Sequence, residues 1–169
     1  MNEYPCELTG GCQCGAVRYA ASIVLDNAHL CHCRMCQKAT GNLFAALVAV
    51  PRSALTWTRG EPARFRSSQN VDRGFCSACG TPLFYDDVTD ARINLSIGSL
   101  DDPAAFKPLG QCGTEARVPW FGELGAVPDT GETEQGEQAD WAAAIKASSV
   151  QHPDHDTQVW PPGKPQAAS

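Results

Sequence analysis

Seven of the nine cysteines in this chain fall into three tight clusters, and this pattern constrains the fold more than any other feature of the sequence. The clusters are Cys12-x-Cys14, Cys31-x-Cys33-x-x-Cys36 and Cys76-x-x-Cys79, whereas Cys6 and Cys112 stand alone. Clustered cysteines form either disulfides or metal sites. Cysteines one residue apart are poorly placed for a mutual disulfide, and an odd total leaves one thiol over. The N-terminal residues lack the basic and apolar blocks of a secretory signal, so a reducing compartment is expected and metal binding is favoured.

Two of the clusters suit one closed zinc site. Zinc takes four ligands in a tetrahedron, and two thiolates on one tight turn occupy one edge of it. Cys76 and Cys79 are followed by Gly80, which permits the positive φ that such a turn needs. Cys12 and Cys14 form a second two-ligand unit, also flanked by glycine. Together the two units predict a four-thiolate site, which is typical of structural zinc.

The third cluster offers three thiolates within six residues, Cys31, Cys33 and Cys36, and no obvious fourth ligand. Three protein ligands with one open position are typical of a catalytic metal. The alternative is a second structural site, closed by His29, His32, Cys112 or Cys6. The residues alone favour neither interpretation. Cys6 and Cys112 are most simply explained as buried small apolar residues.

Three motifs and two later segments together resemble one known family. The motifs are Gly10-Gly11-Cys12-x-Cys14-Gly15-Ala16-Val17-Arg18-Tyr19, Cys31-His32-Cys33-Arg34-Met35-Cys36 with Gly41, and Phe75-Cys76-x-x-Cys79-Gly80-Thr81. The later segments are Ile93-Asn94-Leu95 through Leu100-Asp101 and Val118-Pro119-Trp120-Phe121. From about Gly10 to Phe121 the chain resembles the glutathione-dependent formaldehyde-activating enzyme family, which also includes centromere protein V.

The resemblance implies a mainly β structure, a β-tent related to zinc ribbons, with short antiparallel strands, two zinc sites and little helix. It implies that Cys12, Cys14, Cys76 and Cys79 hold a structural zinc. Cys31, Cys33 and Cys36 would hold a second zinc whose free position accepts the sulfur of glutathione. The implied activity is the condensation of formaldehyde with glutathione to S-hydroxymethylglutathione, a carbon–sulfur lyase reaction.

Candidates for other site residues come from their proximity in sequence to the clusters. For the general acid they are His29, His32 and Tyr85. Glutathione carries two carboxylates, and arginine is the better bidentate partner for such groups. The candidates for its carboxylates are Arg34, Lys38 and Arg73.

The pattern of apolar segments and turn residues predicts a mostly antiparallel β domain over residues 1–128. The predicted strands are Val17–Ser22, Leu43–Val50, Ala54–Thr58, Ala63–Ser67, Thr81–Tyr85 and Arg92–Ile97. Helical turns are predicted at Arg34–Ala39 and Asp101–Phe106, and a short helix at Trp141–Ser148. Residues 129–169 are predicted to be an acidic linker (129–140), that helix and a flexible tail (161–169). His152, Asp154, His155 and Asp156 are interpreted as polar turn residues rather than a metal site.

Charge and hydropathy narrow the possible partners. The net charge is −6, of which −5 falls on residues 129–169. The chain therefore lacks the overall basic excess that is typical of nucleic-acid-binding domains. One stretch, Arg52–Arg73, has a local charge of +3 and is interpreted as a solvated strand face. The longest apolar run, Leu43–Val50, is too short for a membrane-spanning helix. We therefore expect a cytoplasmic protein that binds neither nucleic acid nor a membrane, and the family resemblance implies that its partners are a small thiol and an aldehyde. The sequence leaves the oligomeric state open.

Two functional hypotheses follow. The first is a zinc-dependent enzyme that acts on a thiol adduct. The second is a non-catalytic module with two structural zincs whose surface binds a partner. The first predicts a three-sulfur zinc that takes up external thiol, and the second predicts two zincs with saturated protein ligands.

Overall fold

The structure is a computed structural model that describes residues 2–159, and its architecture is mainly β. Within these residues ten strands and two α-helices are present. The strands are β1 Glu3–Gly11, β2 Arg18–Leu25, β3 His29–Cys31, β4 Ala45–Pro51, β5 Leu55–Arg59, β6 Ala63–Arg66, β7 Val71–Phe75, β8 Pro82–Asp87, β9 Arg92–Ser96 and β10 Gly110–Cys112. The helices are α1 Arg34–Thr40 and α2 Ala139–Ser148. The predicted fold class, mainly β with little helix, is confirmed.

The strands form two sheets. A three-stranded sheet has the order β1-β2-β5, and a seven-stranded sheet has the order β10-β3-β4-β9-β8-β7-β6. All neighbouring strands are antiparallel except β10 and β3, which run parallel. The parallel pair brings Cys112 into register with Cys31.

The core lies where β2 packs against β4 and its neighbours in the larger sheet. Tyr19 from β2, Val48 and Val50 from β4, and Ile93 and Leu95 from β9 are almost fully buried. The interior of β4 is buried on both faces, which explains why its sequence is a continuous apolar run rather than an alternating one. This core supports the elements that carry the cysteine clusters.

Six predicted strands correspond to β2, β4, β5, β6, β8 and β9, with ends that differ by up to three residues. The two predicted helices at Arg34–Ala39 and Trp141–Ser148 correspond to α1 and α2. Residues 101–106 contain only a short 3₁₀ turn, Pro103–Ala105. The sequence analysis missed β1, β3, β7 and β10.

The chain after residue 128 has two parts with different contacts. Residues 129–151 are almost entirely exposed, and Trp141 in α2 is 61% exposed. Residues 152–157 return to the β body: the amide of His152 donates to Gln13 O at 2.7 Å, and Arg18 pairs with Asp156 at 2.7 Å. His152 is buried, in contrast to its interpretation as a polar turn residue. The tail predicted at 161–169 lies outside the described residues.

No helix within residues 2–159 is long and apolar enough to cross a bilayer.

Candidate metal centres

The first two cysteine units meet in one cluster, which we call the four-cysteine cluster. The Sγ atoms of Cys12, Cys14, Cys76 and Cys79 all lie within 4.8 Å of one another. Cys12 and Cys14 follow β1, and Cys76 and Cys79 lie on the turn between β7 and β8. Cys12 Sγ is 3.6 Å from Cys14 Sγ, which is 3.8 Å from Cys76 Sγ. Elements 62 residues apart in sequence are thus joined at one point.

Tight backbone turns hold these sulfurs in place. Gly80 has a φ of 78°, and its amide donates to Cys76 O at 2.8 Å, which closes the turn. The amide of Val17 donates to Cys12 Sγ at 3.3 Å. A hydrogen bond from a backbone amide to sulfur favours the thiolate, the form that binds metal.

The surroundings of the cluster raise the pKa of one of its thiols and lower the pKa of another. Burial raises the pKa of Cys12 to about 12. Burial also acts to raise the pKa of Cys79, but hydrogen bonds from Thr81 and from the backbone outweigh it and lower the pKa to about 6. The cluster therefore contains one thiol that ionises readily beside one that needs a cation to do so.

The four-cysteine cluster fits zinc. A tetrahedron with Zn–S bonds of about 2.3 Å places neighbouring sulfurs about 3.8 Å apart. The sulfur separations of 3.6 and 3.8 Å agree with this value. All nine cysteines are free thiols, so no disulfide competes for these sulfurs.

The second group, which we call the three-cysteine cluster, is built on the start of α1. Cys31 ends β3, Cys33 is the N-cap of α1, and Cys36 lies in its first turn. The amide of Cys36 donates to Cys33 Sγ at 3.4 Å, so this sulfur caps the helix. The three Sγ atoms lie within 4.8 Å of one another, and those of Cys31 and Cys33 are 3.4 Å apart.

The three-cysteine cluster faces a cavity of about 240 Å³, which we call the metal cavity. All three cysteines line it, and its other walls are His29, Met35, Leu47, Arg73, Tyr85, Asn94 and Cys112. Three thiolates on one side of a cavity fit zinc with one position directed into the open space. The arrangement therefore leaves room for a fourth ligand that comes from solution.

Arg73 and Tyr85 place a positive charge and a phenol beside this cluster. The Arg73 guanidinium donates to Cys36 Sγ at 3.5 Å and lies over the Tyr85 ring, 5.2 Å from its centroid. Burial raises the pKa of Cys36 to about 12, with Arg73 acting in the opposite direction. Burial also acts to raise the pKa of Cys33. Hydrogen bonds from the Cys36 amide and from the side chains of Cys31 and Cys36, together with the charge of Arg73, outweigh burial and lower this pKa.

The structure separates the three candidates for the general acid. His29 and Tyr85 line the metal cavity, and His29 Nδ1 lies 2.7 Å from Asn27 O. His32 does not line the metal cavity. It is fully buried, and its Nε2 lies 2.8 Å from Gln111 Oε1. Its ring packs edge-on against Phe44 and Phe121.

The three candidates for the glutathione carboxylates also differ in position. Arg73 lines the metal cavity, whereas Arg34 and Lys38 lie on the exposed surface of α1 and do not line it. Arg34 donates to Gln37 Oε1 at 3.1 Å. Of the three candidates, Arg73 is the one that the structure places at the metal cavity.

Cys112, one of the residues considered as a closing ligand of a second structural site, lines the metal cavity. It is exposed rather than buried, in contrast to the prediction for it. The His32 amide donates to Cys112 O at 2.9 Å, and a Cβ on Gly113 would lie 2.6 Å from Cys33 N. β10 and Gly113 therefore pack closely against His32 and Cys33, and the thiol of Cys112 lies next to Cys31. Gly113, with a φ of 62°, is the local signal for this close approach.

Fold and clusters together define a β protein with two cysteine-built candidate metal centres. The family model described as glutathione-dependent formaldehyde-activating enzyme matches residues 7–115. The chain belongs to this family, and the resemblance inferred from its motifs is confirmed. The matched region contains both clusters and Cys112.

Two further similarities agree with this assignment. Over 79 residues the chain is 28% identical to a Schizosaccharomyces pombe protein described as an uncharacterized lyase, which covers 47% of this chain and 57% of that relative. The chain thus matches a little over half the length of this relative. A crystal structure of a Rhodobacter sphaeroides protein superimposes with a TM-score of 0.51 at 20% identity, covering 61% of this chain and 98% of that one. At this identity the superposition supports the fold alone.

Proposed function

We propose that this protein is a zinc-dependent enzyme of the carbon–sulfur lyase type. It binds glutathione or a similar thiol at a zinc held by Cys31, Cys33 and Cys36, and forms or breaks an S-hydroxymethyl adduct with formaldehyde or another small aldehyde. The family supports this proposal, and so does the relative named a lyase. The observation that carries it is the three-cysteine cluster facing an open cavity.

The four-cysteine cluster has a different proposed role. Its residues would hold a structural zinc that ties the end of β1 to the turn between β7 and β8. Four protein thiolates leave no position for a substrate, and such closed sites contribute directly to folding. We propose that residues 1–128 form the zinc-binding domain and that 129–169 are an appended linker, helix and tail.

The proposed reaction balances without an oxidant or reductant. A bond forms between the thiol sulfur and the carbonyl carbon, the carbonyl π bond breaks, and the thiol proton is transferred to the carbonyl oxygen. When bound, zinc supplies the charge that favours the thiolate form of the incoming thiol. Placing the aldehyde beside a sulfur fixed in this way accelerates the step through proximity.

The protein's own side chains would handle charge and proton in this step. The Arg73 guanidinium, already at Cys36 Sγ, would offset the negative charge of four sulfurs. Burial raises the pKa of Tyr85, so its hydroxyl stays protonated and able to donate to the developing alkoxide. His29 lines the same cavity and is the second candidate donor. Arg34 and Lys38 would meet the carboxylates of a thiol that extends along α1.

One observation favours the non-catalytic alternative. Cys112 is in register with Cys31 and lines the metal cavity, so its thiol is a candidate fourth protein ligand, although the sulfurs within 4.8 Å of one another are those of Cys31, Cys33 and Cys36. A zinc with four permanent protein thiolates would not take up glutathione. The protein would then be a module with two structural zincs that binds a partner through its surface.

Zinc content and sulfur coordination before and after addition of glutathione test the proposal. Metal analysis with X-ray absorption should give two zincs per chain and a mean sulfur count that rises with glutathione. Cys112→Ser should show the same rise. Two zincs with four sulfurs each and no response in the wild type would favour the module instead. If the rate of adduct formation is measured as well, it must be compared with the rate in a protein-free control, because the adduct also forms spontaneously in solution.

A further inference from the structure

A second cavity, which we call the apolar cavity, lies next to the metal cavity. It has a volume of about 300 Å³ and lies against the larger sheet, between the last residues of α1 and strands β6 to β8. Its walls are mostly hydrocarbon, with Leu47, Phe65, Phe75, Pro82 and Phe84 as the largest apolar members. Such a lining selects apolar ligand groups.

The two cavities share walls at the three-cysteine cluster. Leu47 and Arg73 line both of them. Arg73 also reaches Cys36 Sγ at 3.5 Å, so the boundary between the cavities lies at the sulfur of a proposed zinc ligand. α1 runs alongside both, with Cys36 on the metal cavity and Ala39 and Thr40 on the apolar cavity. A substituent on an adduct held at the cluster would pass Arg73 and enter the apolar cavity.

The chemistry of the cavity excludes two obvious occupants. Formaldehyde has two heavy atoms and would leave a space of about ten water volumes unfilled. Glutathione carries two carboxylates and an ammonium group, which need charged or hydrogen-bonding partners when buried. Arg73 is the one charged side chain in the described lining, and Thr40 and Ser96 are its hydroxyls. A hydrocarbon chain or ring fits this lining.

We infer that the apolar cavity binds the hydrocarbon substituent of the carbonyl carbon, so that the favoured substrate is an aldehyde larger than formaldehyde, R–CHO with R an alkyl chain or ring. This inference rests on the proposed function. The bond changes are those of the formaldehyde reaction: sulfur bonds to the carbonyl carbon, the carbonyl π bond breaks, and the thiol proton goes to the carbonyl oxygen. Only the group R is new, and the apolar cavity removes it from water.

Two stable thioethers mimic the two classes of adduct. S-methylglutathione carries a one-carbon group, as the formaldehyde adduct does, and S-hexylglutathione extends it by five methylenes. Each buried methylene strengthens binding about fourfold. Titration calorimetry with the full-length zinc-loaded protein should therefore show S-hexylglutathione binding at least tenfold more tightly than S-methylglutathione.

Two variants locate the effect in the apolar cavity. Ala39→Leu adds bulk to its wall at an exposed position of α1, and Phe65→Ala removes a wall residue that is 63% exposed. Both should reduce the hexyl-to-methyl ratio to less than threefold and leave S-methylglutathione affinity unchanged. Ala143→Leu, the same exchange at an exposed position of α2 away from the cavity, is the matched control and should keep the full ratio.

The outcomes separate this inference from the proposed function. Equal affinity for the two thioethers overturns the apolar-substituent inference while glutathione binding stands. A hexyl preference that survives both Ala39→Leu and Phe65→Ala also overturns it, because the substituent then lies elsewhere. If neither thioether binds and glutathione does not raise the zinc sulfur count, the proposed function fails and this inference with it.

Discussion

The guanidinium of Arg73 donates to the sulfur of Cys36 at 3.5 Å while it lies over the ring of Tyr85. Three thiolates around Zn²⁺ carry a net charge of −1, and a fourth thiolate from a substrate would make it −2. A fixed positive charge at one of these sulfurs offsets that increase, and it acts at short range in a partly buried site. Arg73 would therefore stabilise the negative charge that a thiolate adds when it binds in the metal cavity.

Replacing Arg73 should weaken thiol binding more than metal binding. We expect Arg73→Gln to raise the dissociation constant for glutathione by about tenfold, because a positive charge about 4 Å from the added thiolate is worth roughly 1–4 kcal/mol at a partly buried site. Calorimetry on the zinc-loaded protein measures the change, with zinc content determined on the same sample. Arg66→Gln, an exchange of a more exposed arginine paired with Asp72, is the control. Equal affinity in Arg73→Gln and wild type would contradict the role of Arg73.

The two cysteine clusters should differ in what their loss does to the fold. Cys76→Ser removes a buried ligand from the four-cysteine cluster, and because binding of a structural zinc is part of the folding free energy, we expect the domain to unfold. Cys33→Ser should leave a folded protein that binds one zinc instead of two. Circular dichroism and metal analysis of both variants distinguish these results. Equal loss of structure in both would show that the clusters are not divided into structural and catalytic.

The sequence predicts the cysteine clusters well because metal-ligand spacing is local. Cys76-x-x-Cys79-Gly80 specifies its own turn, and the apolar run in β4 specifies a buried strand, so both could be recognised without knowledge of the remaining fold. The pairing of the first and third clusters followed from ligand number alone. The structure brings these sulfurs within 4.8 Å of one another.

The missed elements depend on contacts that sequence periodicity does not encode. β7 contains Asp72 and Gly74, which are unfavourable in strands, yet Asp72 pairs with Arg64 and Arg66, and Gly74 makes room for the Phe84 ring. β10 is three residues long and forms only through its parallel pairing with β3. The placement of Cys112 beside Cys31 depends on that pairing, and Gly113 alone does not specify it.

Cys112→Ser tests whether the exposed thiol next to Cys31 is a ligand. If the second zinc has three protein ligands, the variant should retain two zincs and bind glutathione within about twofold of the wild-type affinity. Cobalt substitution provides the measurement, because the visible absorption of Co²⁺ reports its number of thiolates. Cys6→Ser, at a part-buried thiol that donates to Ala21 O, is the control. A wild type with four-sulfur absorption from both cobalt sites without glutathione, reduced to that of one site in Cys112→Ser, would favour the non-catalytic module.

The buried pair of Arg18 and Asp101 should make stability depend on pH in the acid range. Burial acts to raise the pKa of Asp101, but hydrogen bonds from Arg18 and Thr9 outweigh it and lower the pKa below its usual value. A carboxyl with a depressed folded-state pKa stabilises fully above its unfolded pKa of about 3.9, and this contribution is lost as pH falls through the folded value. We expect Asp101→Asn to lower the free energy of unfolding by about 3 kcal/mol at pH 7.

The pH dependence of that difference is the diagnostic result. The gap in free energy of unfolding between wild type and Asp101→Asn should stay constant from pH 7 to about pH 5 and shrink below about pH 4. Metal loss at low pH affects both proteins alike and cancels in the difference. A gap that is unchanged down to pH 3 would mean that packing, not charge, explains the effect of the substitution.

The segment that contains His152 should stabilise the β body although it lies beyond the region matched by the family. His152 is 4% exposed, its amide donates to Gln13 O beside the four-cysteine cluster, and its Nε2 lies 3.0 Å from Thr157 Oγ1. Loss of such a buried, hydrogen-bonded side chain costs about 1–3 kcal/mol, or about 2–4 °C in Tm per kcal/mol for a chain of this size. His152→Ala should therefore lower Tm by several degrees in differential scanning calorimetry. His155→Ala, three residues later and exposed, should leave it unchanged. If both variants melt at the wild-type temperature, the His152 side chain does not stabilise the β body, and any contribution of this segment comes from its other contacts, such as the Arg18–Asp156 pair.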